Sequence, residues 1–187
     1  MILPDPAFWT DFLYIRPYHP YWLVYGIDRN PQFNSDDGLL LDFKEGEAHG
    51  IWLATESFRE VLSRMSQPIR SVVTHVPGHR KRSSNVERPL GQVVREIAQD
   101  HPDRFQGRPD TLLRTKTIAR LASGGEREIK VHLSSITVAN QSLVRDRTHI
   151  LLDDIATTGK SIAACRKLLL EAGAKRVGAL VLGRTTR

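Results

Sequence analysis

The hydrophobic positions of this chain form two kinds of pattern, short unbroken apolar runs and apolar stripes with helical spacing. The run SVVTHV at residues 71–76 is typical of a buried strand, and Pro77 and Gly78 end it. A run of this length, bounded by turn residues, predicts a strand rather than a helix. Strands are predicted in the same way at residues 111–114, 149–153 and 176–183.

An amphipathic helix is predicted ahead of the first run. Its apolar stripe has the spacing i, i+3, i+4 and i+7 and consists of Phe58, Val61, Leu62 and Met65. Ser57 and Glu60 either form a capping box at the start of this helix or, if it begins near Ile51, lie in its interior. A short apolar run at residues 39–43 and a turn-like KEGE sequence precede it.

Two further helices complete an alternation of strands and helices. The first has apolar residues at 90, 93, 94, 97 and 98 and accommodates Pro89 because proline fits a first turn. The second covers residues 161–172 and is followed by Gly173, a common stop signal. Such an alternation predicts an α/β fold in which a mainly parallel sheet is flanked by helices.

Two segments lack a regular pattern. Residues 1–38 are rich in Pro, Tyr and Trp, and they predict an irregular or β-containing cover ahead of a main domain at residues 39–187. Their aromatic side chains are interpreted as covering a sheet edge, with stacking on a base as the alternative. Residues 115–131 hold Gly124 and Gly125 between charged residues, which predicts a mobile excursion without a core of its own.

Composition narrows the class of protein. With 187 residues, 40% of them hydrophobic, the chain suits one ordinary domain. No apolar run is long enough to span a bilayer and the first residues do not resemble a signal peptide, so a cytoplasmic protein without a membrane partner is expected. The one cysteine, Cys165, lies on the apolar face of the predicted helix, which favours a core role over a nucleophile.

The charge of the chain predicts an anionic partner. The formal net charge is +6, and basic residues cluster at residues 79–82 (HRKR) and 114–116 (RTK). Nucleic acid and a polyphosphate substrate both fit this charge. His75 stands in an apolar run, so it is interpreted as a core or strand-end histidine rather than a catalyst.

Residues 150–162 (ILLDDIATTGKSI) carry the chemistry. An apolar strand ends in Asp153 and Asp154, and a turn of small residues leads into a helix. Backbone N–H groups and hydroxyls at a helix start favour a phosphate, whereas two carboxylates suit sugar hydroxyls. The segment therefore predicts a site for a ribose 5-phosphate group.

Two other interpretations fit parts of this segment. Asp153 and Asp154 could be a solvated strand end that caps the following helix. Gly159, Lys160 and Ser161 match the end of a nucleotide-binding P-loop, but the glycine that this loop needs five residues earlier is replaced by Asp154. The sugar-phosphate site fits the spacing better than either.

Residues 150–162 resemble the PRPP (5-phosphoribosyl 1-diphosphate) signature of type I phosphoribosyltransferases, with Ser161 where threonine is usual. Residues 76–80 (VPGHR), 124–127 (GGER) and 180–185 further resemble the competence-associated, ComF-like branch of that family. The chain departs from this branch in two respects. It carries no cysteine-rich zinc ribbon, and SSNV at residues 83–86 replaces the usual GFNQ.

The resemblance implies a type I phosphoribosyltransferase fold with a small variable N-terminal hood, and it implies roles for individual residues. Asp153 and Asp154 would hold the ribose, and Arg127 would act in catalysis from a closing loop that also contains Lys116. Mg²⁺ would arrive with the substrate, without direct protein ligands. The 5-phosphate would be bound by Ala156, Thr157, Thr158, Gly159, Lys160 and Ser161. Pyrophosphate would be bound by Pro77, Gly78, His79 and Arg80, for which a merely solvated basic loop is the alternative.

The reaction that the resemblance implies is transfer of the phosphoribosyl group from PRPP to an unknown nitrogen base, with release of pyrophosphate. Two alternatives stay open: a protein that senses PRPP or a nucleotide without turnover, and an accessory factor of DNA uptake. Lys44 is expected to face the site, and the base would be selected by the N-terminal hood or by residues 26–50. Weak binding of nucleic acid and a homodimer are also left open.

Overall fold

Five parallel strands form the central sheet of the computed structural model, which describes residues 6–24, 27–65, 70–118 and 129–186. All neighbouring strands in the sheet pair in the parallel direction. In spatial order the strands are β1 (Leu13–Tyr18), β9 (Arg176–Thr185), β8 (Thr148–Ala156), β4 (Ser71–His75) and β5 (Phe105–Gly107). Such a sheet, flanked by helices, confirms the predicted α/β fold class with a mainly parallel central sheet.

Helices cover both faces of this sheet. They are α1 (Pro6–Thr10), α2 (Ser35–Glu45), α3 (Ala48–Arg64), α4 (Pro89–Asp100), α5 (Ile129–Leu133) and α6 (Lys160–Glu171), with a 3₁₀ turn at Gln141–Leu143. Ile150 and Leu152 of β8 pack in a core with α2, α3 and α4, whereas Leu151 packs in a second core with α6. This follows from the two-residue period of a strand, whose successive side chains point to opposite faces.

Several predicted elements are confirmed. β4, α4, β8, α6 and β9 lie where the apolar patterns placed them, and Pro89 occupies the first turn of α4. Gly173 follows α6 with a φ of 97°, a left-handed conformation that glycine adopts readily. Cys165 is fully buried, so its predicted core role is confirmed too. None of the helices in the described ranges is both long and apolar enough to cross a bilayer.

The region of α2 and α3 differs from the prediction in two ways. Residues 39–43 belong to the helix α2, which Asn34 caps by accepting hydrogen bonds from backbone N–H groups and which ends at Gly46. The earlier start of α3, at Ala48, puts Ser57 in its interior, so the capping box with Glu60 is wrong and the alternative is confirmed.

The predicted strand at residues 111–114 does not join the central sheet. It forms β6 (Leu112–Arg114) and pairs in the antiparallel direction with β7 (Ile136–Val138). The place beside β4 is taken by the three-residue strand β5. At the opposite edge of the sheet, β1 comes from the segment predicted to be a cover. A second antiparallel pair joins β2 (Trp22–Val24) and β3 (Asp28–Arg29).

Candidate functional site

The turn between β8 and α6 lies at the carboxyl end of the sheet, where ligands bind in open parallel sheets. Gly159 begins the helix with a φ of 68°. A Cβ atom at this position would lie 2.7 Å from the ring of Phe12, so a larger residue would force the ring or the turn to move. Because Gly159 has no side chain to cap the helix, the N–H groups of the first turn of α6 are left for a ligand.

A pocket opens on this turn. Its empty space is about 320 Å³, part of it open to solvent. The hydroxyl of Thr157 is held at its rim by that of Thr185, with 3.0 Å between the two oxygens. The pocket is lined by His132, Ile155, Ala156, Thr157, Thr158, Gly159 and Ser161. Of the residues predicted to bind the 5-phosphate, the pocket lining therefore includes all but Lys160, which is exposed at the helix start.

The two adjacent carboxylates lie in different environments. Asp153 is 7% exposed, and its Oδ1 accepts a hydrogen bond from the N–H of Asp154. Burial, and then the neighbouring Asp154 carboxylate, raise the pKa of Asp153 well above its usual value. Neither aspartate caps α6, since Gly159 occupies that position. The helix-cap interpretation of the pair is therefore wrong.

Asp154 is the accessible member of the pair. Its Oδ1 accepts from the N–H of Ile155, and its Oδ2 lies 3.8 Å from Nζ of Lys44 on α2. Both side chains of this ion pair are partly exposed, 41% for Lys44 and 31% for Asp154. Such exposed pairs contribute only about 0–1 kcal/mol, so a ligand hydroxyl can replace the lysine at little cost.

Arg88, directly before α4, lies close enough to the site for the charges of both aspartates to act on it. A Cβ atom on Gly78 would lie 2.2 Å from Nη1 of Arg88, so the glycine makes room for this guanidinium. Burial lowers the pKa of Arg88, while the carboxylates of Asp154 and Asp153 raise it. The same Arg88 charge acts on His75, whose pKa burial lowers to about 4. His75 is thus a buried core residue, as its apolar run indicated.

Arg114 corrects the charge analysis. The sequence grouped it with Lys116 in a basic cluster expected to attract an anionic partner, but Arg114 is 2% exposed. Its Nε and Nη2 donate to the carbonyls of Gly78 and Pro77 at 2.7 and 3.2 Å, and its Nη1 donates to Oγ of Ser135 at 2.6 Å. Arg114 therefore anchors the loop predicted to bind pyrophosphate instead of offering its charge to solvent.

The rest of this loop is also held in place. The N–H of Arg82 donates to the carbonyl of Arg114, and the N–H of Lys81 donates to Oγ1 of Thr117. The carbonyl of His79 accepts from the N–H of Ile118 at 2.9 Å. Arg80 itself is exposed. A well-anchored backbone with exposed basic side chains suits an anion better than a loose solvated loop does.

Two residues of the site escaped the sequence analysis. Arg88 lies between Glu87 and the first residue of a predicted helix, and His132 follows the charged excursion, so neither belongs to a recognisable pattern. Only the packing of α4 and α5 brings them to the carboxyl end of the sheet. Arg127, Gly124 and Gly125 lie outside the described residues, and the predicted closing loop at residues 116–130 is described only at its ends.

Comparison with known proteins adds limited information. No family model matches the chain, and no curated protein does. Among solved structures, the chain is similar to phosphoribosylpyrophosphate synthetase from Mycobacterium smegmatis, at 22% identity and a TM-score of 0.41. The similarity covers 71% of this chain and 33% of that one, so this chain spans about a third of that enzyme's length. The assignment of the fold therefore rests on the strand order and direction described above.

Proposed function

We propose that the chain binds PRPP and transfers its phosphoribosyl group to a nitrogen base, releasing pyrophosphate. The observation that carries this proposal is the start of α6, which lacks a side-chain cap and opens on a pocket beside two adjacent carboxylates. A helix start favours a phosphate, and carboxylates favour the hydroxyls of a ribose. PRPP carries both groups on one sugar.

In this proposal the substrate lies along the carboxyl end of the sheet. The 5-phosphate accepts hydrogen bonds from the turn at residues 157–161. The ribose hydroxyls donate to Asp154, displacing Lys44 from its 3.8 Å ion pair. Lys44 is then free to interact with a phosphoryl oxygen. The buried Asp153 supports the position of Asp154, to whose N–H its carboxylate is hydrogen-bonded.

The pyrophosphate end would lie over the anchored loop. Arg80 is exposed there. Arg88 packs against Gly78 and interacts electrostatically with both aspartates. Mg²⁺ would arrive bound to the pyrophosphate oxygens and neutralise part of their charge. Arg127 keeps its predicted role at this end. Since the loop backbone is fixed by Arg114, the basic groups need little reorganisation when the leaving group departs.

The proposed reaction breaks the bond between C1 of the ribose and the pyrophosphate oxygen, and the electron pair of that bond leaves with pyrophosphate. The lone pair of the base nitrogen forms the new bond to C1, and a proton carried by that nitrogen passes to water. Positive charge develops on the ribose as the bond breaks, so no covalent enzyme nucleophile is required. The chain contributes positioning of the two reactants and stabilisation of the leaving charge. A panel of nitrogen bases, with release of pyrophosphate as the signal, would identify the acceptor.

A second candidate is a binding protein without turnover, including a ComF-like accessory role in DNA uptake. The exposed basic side chains at Arg80, Lys81 and Arg82 favour contact with nucleic acid. This candidate uses the same PRPP site, so PRPP binding alone does not separate the two. Pyrophosphate release with none of the tested bases, despite tight PRPP binding, would favour it.

Asp154→Asn is expected to weaken PRPP binding by roughly tenfold to a hundredfold, because hydrogen bonds to a charged group contribute about 1.5–3 kcal/mol. Thermal stability should change little, since the side chain is partly exposed and its ion pair is weak. Calorimetry with PRPP and Mg²⁺ measures the affinity. Asp103→Asn is the matched control, since Asp103 is exposed just before β5, at the opposite end of the sheet. Equal affinities for the two variants would count against the proposed site.

Asp153→Asn is expected to raise stability, whereas Asp154→Asn should leave it nearly unchanged. The raised pKa lets the folded chain keep its proton to a higher pH than the unfolded chain. Stability from this group is therefore present at low pH and declines as the pH rises from the ordinary carboxylate pKa towards the raised one. Asparagine keeps the shape without the charge, so the free energy of unfolding at neutral pH should rise by about 0.5–2 kcal/mol. Urea denaturation at several pH values measures this gain, which should grow with pH; a gain that shrinks would contradict it.

Binding to double-stranded DNA is expected to be weak and independent of sequence, since the exposed basic residues contact phosphates and do not read bases. If three phosphates are contacted, a roughly fourfold rise in salt should lower the affinity about 40-fold. Fluorescence anisotropy with two unrelated duplexes measures both properties. A marked preference for one duplex that persists at physiological salt would contradict this expectation.

A further inference from the structure

His132 is a buried polar residue that the proposed reaction leaves without a role. It lies on α5, is 2% exposed, and lines the same pocket as Thr157, Gly159 and Ser161. Neither of its ring nitrogens has a hydrogen-bond partner among the described residues, and both are shielded from solvent. A buried donor or acceptor left unpaired costs about 1–3 kcal/mol, and buried polar groups are normally paired. Because His132 lines the pocket, a ligand bound there can supply the missing hydrogen-bond partner.

His132 lies close to the positive charge of Arg114 and lines the pocket proposed to bind an anion. We propose that His132 is a ligand-contacting residue of the pocket, and that its ring donates a hydrogen bond to the phosphate bound by the turn at residues 157–161. This inference rests on the proposed function, because it takes the anion to be the 5-phosphate of the substrate. It adds a residue of α5 to a site otherwise formed by residues 150–162.

The surroundings of His132 determine its charge. Burial, and then the charge of Arg114, lower the pKa of His132, so the ring is neutral in the free protein at neutral pH. A dianion in the pocket acts in the opposite sense and favours the imidazolium, which makes a stronger, charge-assisted hydrogen bond. Binding should therefore draw a proton onto the ring. Among the charged groups around α5, Arg114 is the one that shifts the pKa of His132 in the free protein. The other charged groups are Lys130 on α5 and Lys160, Arg166, Lys167 and Glu171 on α6.

The test uses the full chain with inorganic sulfate, whose charge stays constant between about pH 6 and pH 8, the range in which histidine titrates. For the wild type, calorimetry should show several-fold tighter binding at the lower pH. His132→Leu removes both nitrogens and should weaken binding by roughly tenfold and abolish that His132-dependent gain. It should leave thermal stability unchanged or higher, since an apolar group replaces unpaired buried ones.

His149→Leu is the matched control. His149 is also buried, and its Nδ1 has no hydrogen-bond partner within the described ranges, but it lies near the start of β8, away from the pocket. Its loss should leave the sulfate affinity unchanged. If His132→Leu does not fold, His132→Asn supplies the comparison, because it retains a donor that does not titrate and should lose only the pH dependence.

The outcomes separate the two proposals. If the wild type binds sulfate and ribose 5-phosphate while His132→Leu binds both equally well with the same pH dependence, the role of His132 is overturned and the proposed function stands. If the wild type binds neither anion, the phosphate site itself is wrong, and the role of His132 is overturned with it. A loss of affinity shared equally by the His149→Leu control would also overturn the specific role of His132.

Discussion

Replacing Arg114 with methionine is expected to lower the free energy of unfolding by about 3–5 kcal/mol, because buried polar groups lose their hydrogen-bond donor. The guanidinium donates to the carbonyls of Pro77 and Gly78 and to Oγ of Ser135, and it is almost wholly buried. Methionine fills most of the volume but supplies no donor. The buried carbonyl of Pro77 and the half-buried carbonyl of Gly78 would then lose this donor, and the loop that they belong to would loosen.

Urea denaturation measures this loss. Arg95→Met on the exposed face of α4 is the control, and it should change stability by no more than about 0.5 kcal/mol. Arg114→Lys retains the charge, but its ammonium group cannot reach the three acceptors that the planar guanidinium reaches at once. It should therefore recover only part of the lost free energy of unfolding. A loss below about 1 kcal/mol for Arg114→Met would mean that water replaces the arginine.

Gly159→Ala is expected to reduce the affinity for PRPP by more than about 100-fold, because losing two hydrogen bonds to a charged group costs about 3–6 kcal/mol. The new Cβ would lie 2.7 Å from the ring of Phe12, and the φ of 68° is unfavourable for alanine. The turn must therefore rearrange, which moves the N–H groups of the first turn of α6 away from the phosphate.

Gly173→Ala at the other end of α6 is the matched control. Gly173 also has a left-handed backbone, with a φ of 97°, and its Cβ would lie 3.4 Å from Cγ of Arg145. Both variants should lose thermal stability, since each forces alanine into a left-handed conformation. Only Gly159→Ala should lose affinity in calorimetry with PRPP. Retained binding in Gly159→Ala would show that the turn is not the phosphate site.

The local elements were predictable because their signals are local. The apolar run of β4, the helical spacing of α4 and α6, and the glycine after α6 all reflect the backbone geometry of a few neighbouring residues. The identity of the sheet neighbours was not predictable in the same way. β5 has three residues and shows no run of its own, so the apolar pattern predicts a strand at residues 111–114 and none at β5.

The sequence by itself determined the strand, the carboxylate pair and the small-residue turn before α6, because Asp153, Asp154 and Gly159 are close neighbours along one continuous segment. Strand-to-helix geometry places such residues together whatever the rest of the chain does. Only the tertiary structure decided which side chains complete the site: Lys44 from α2, Arg88 before α4 and His132 from α5. It also decided that Arg114 is buried beneath the loop and not part of a surface patch. The physical reason is that contacts between distant segments depend on how helices pack on the sheet, and a single charged residue carries no pattern that reports its burial.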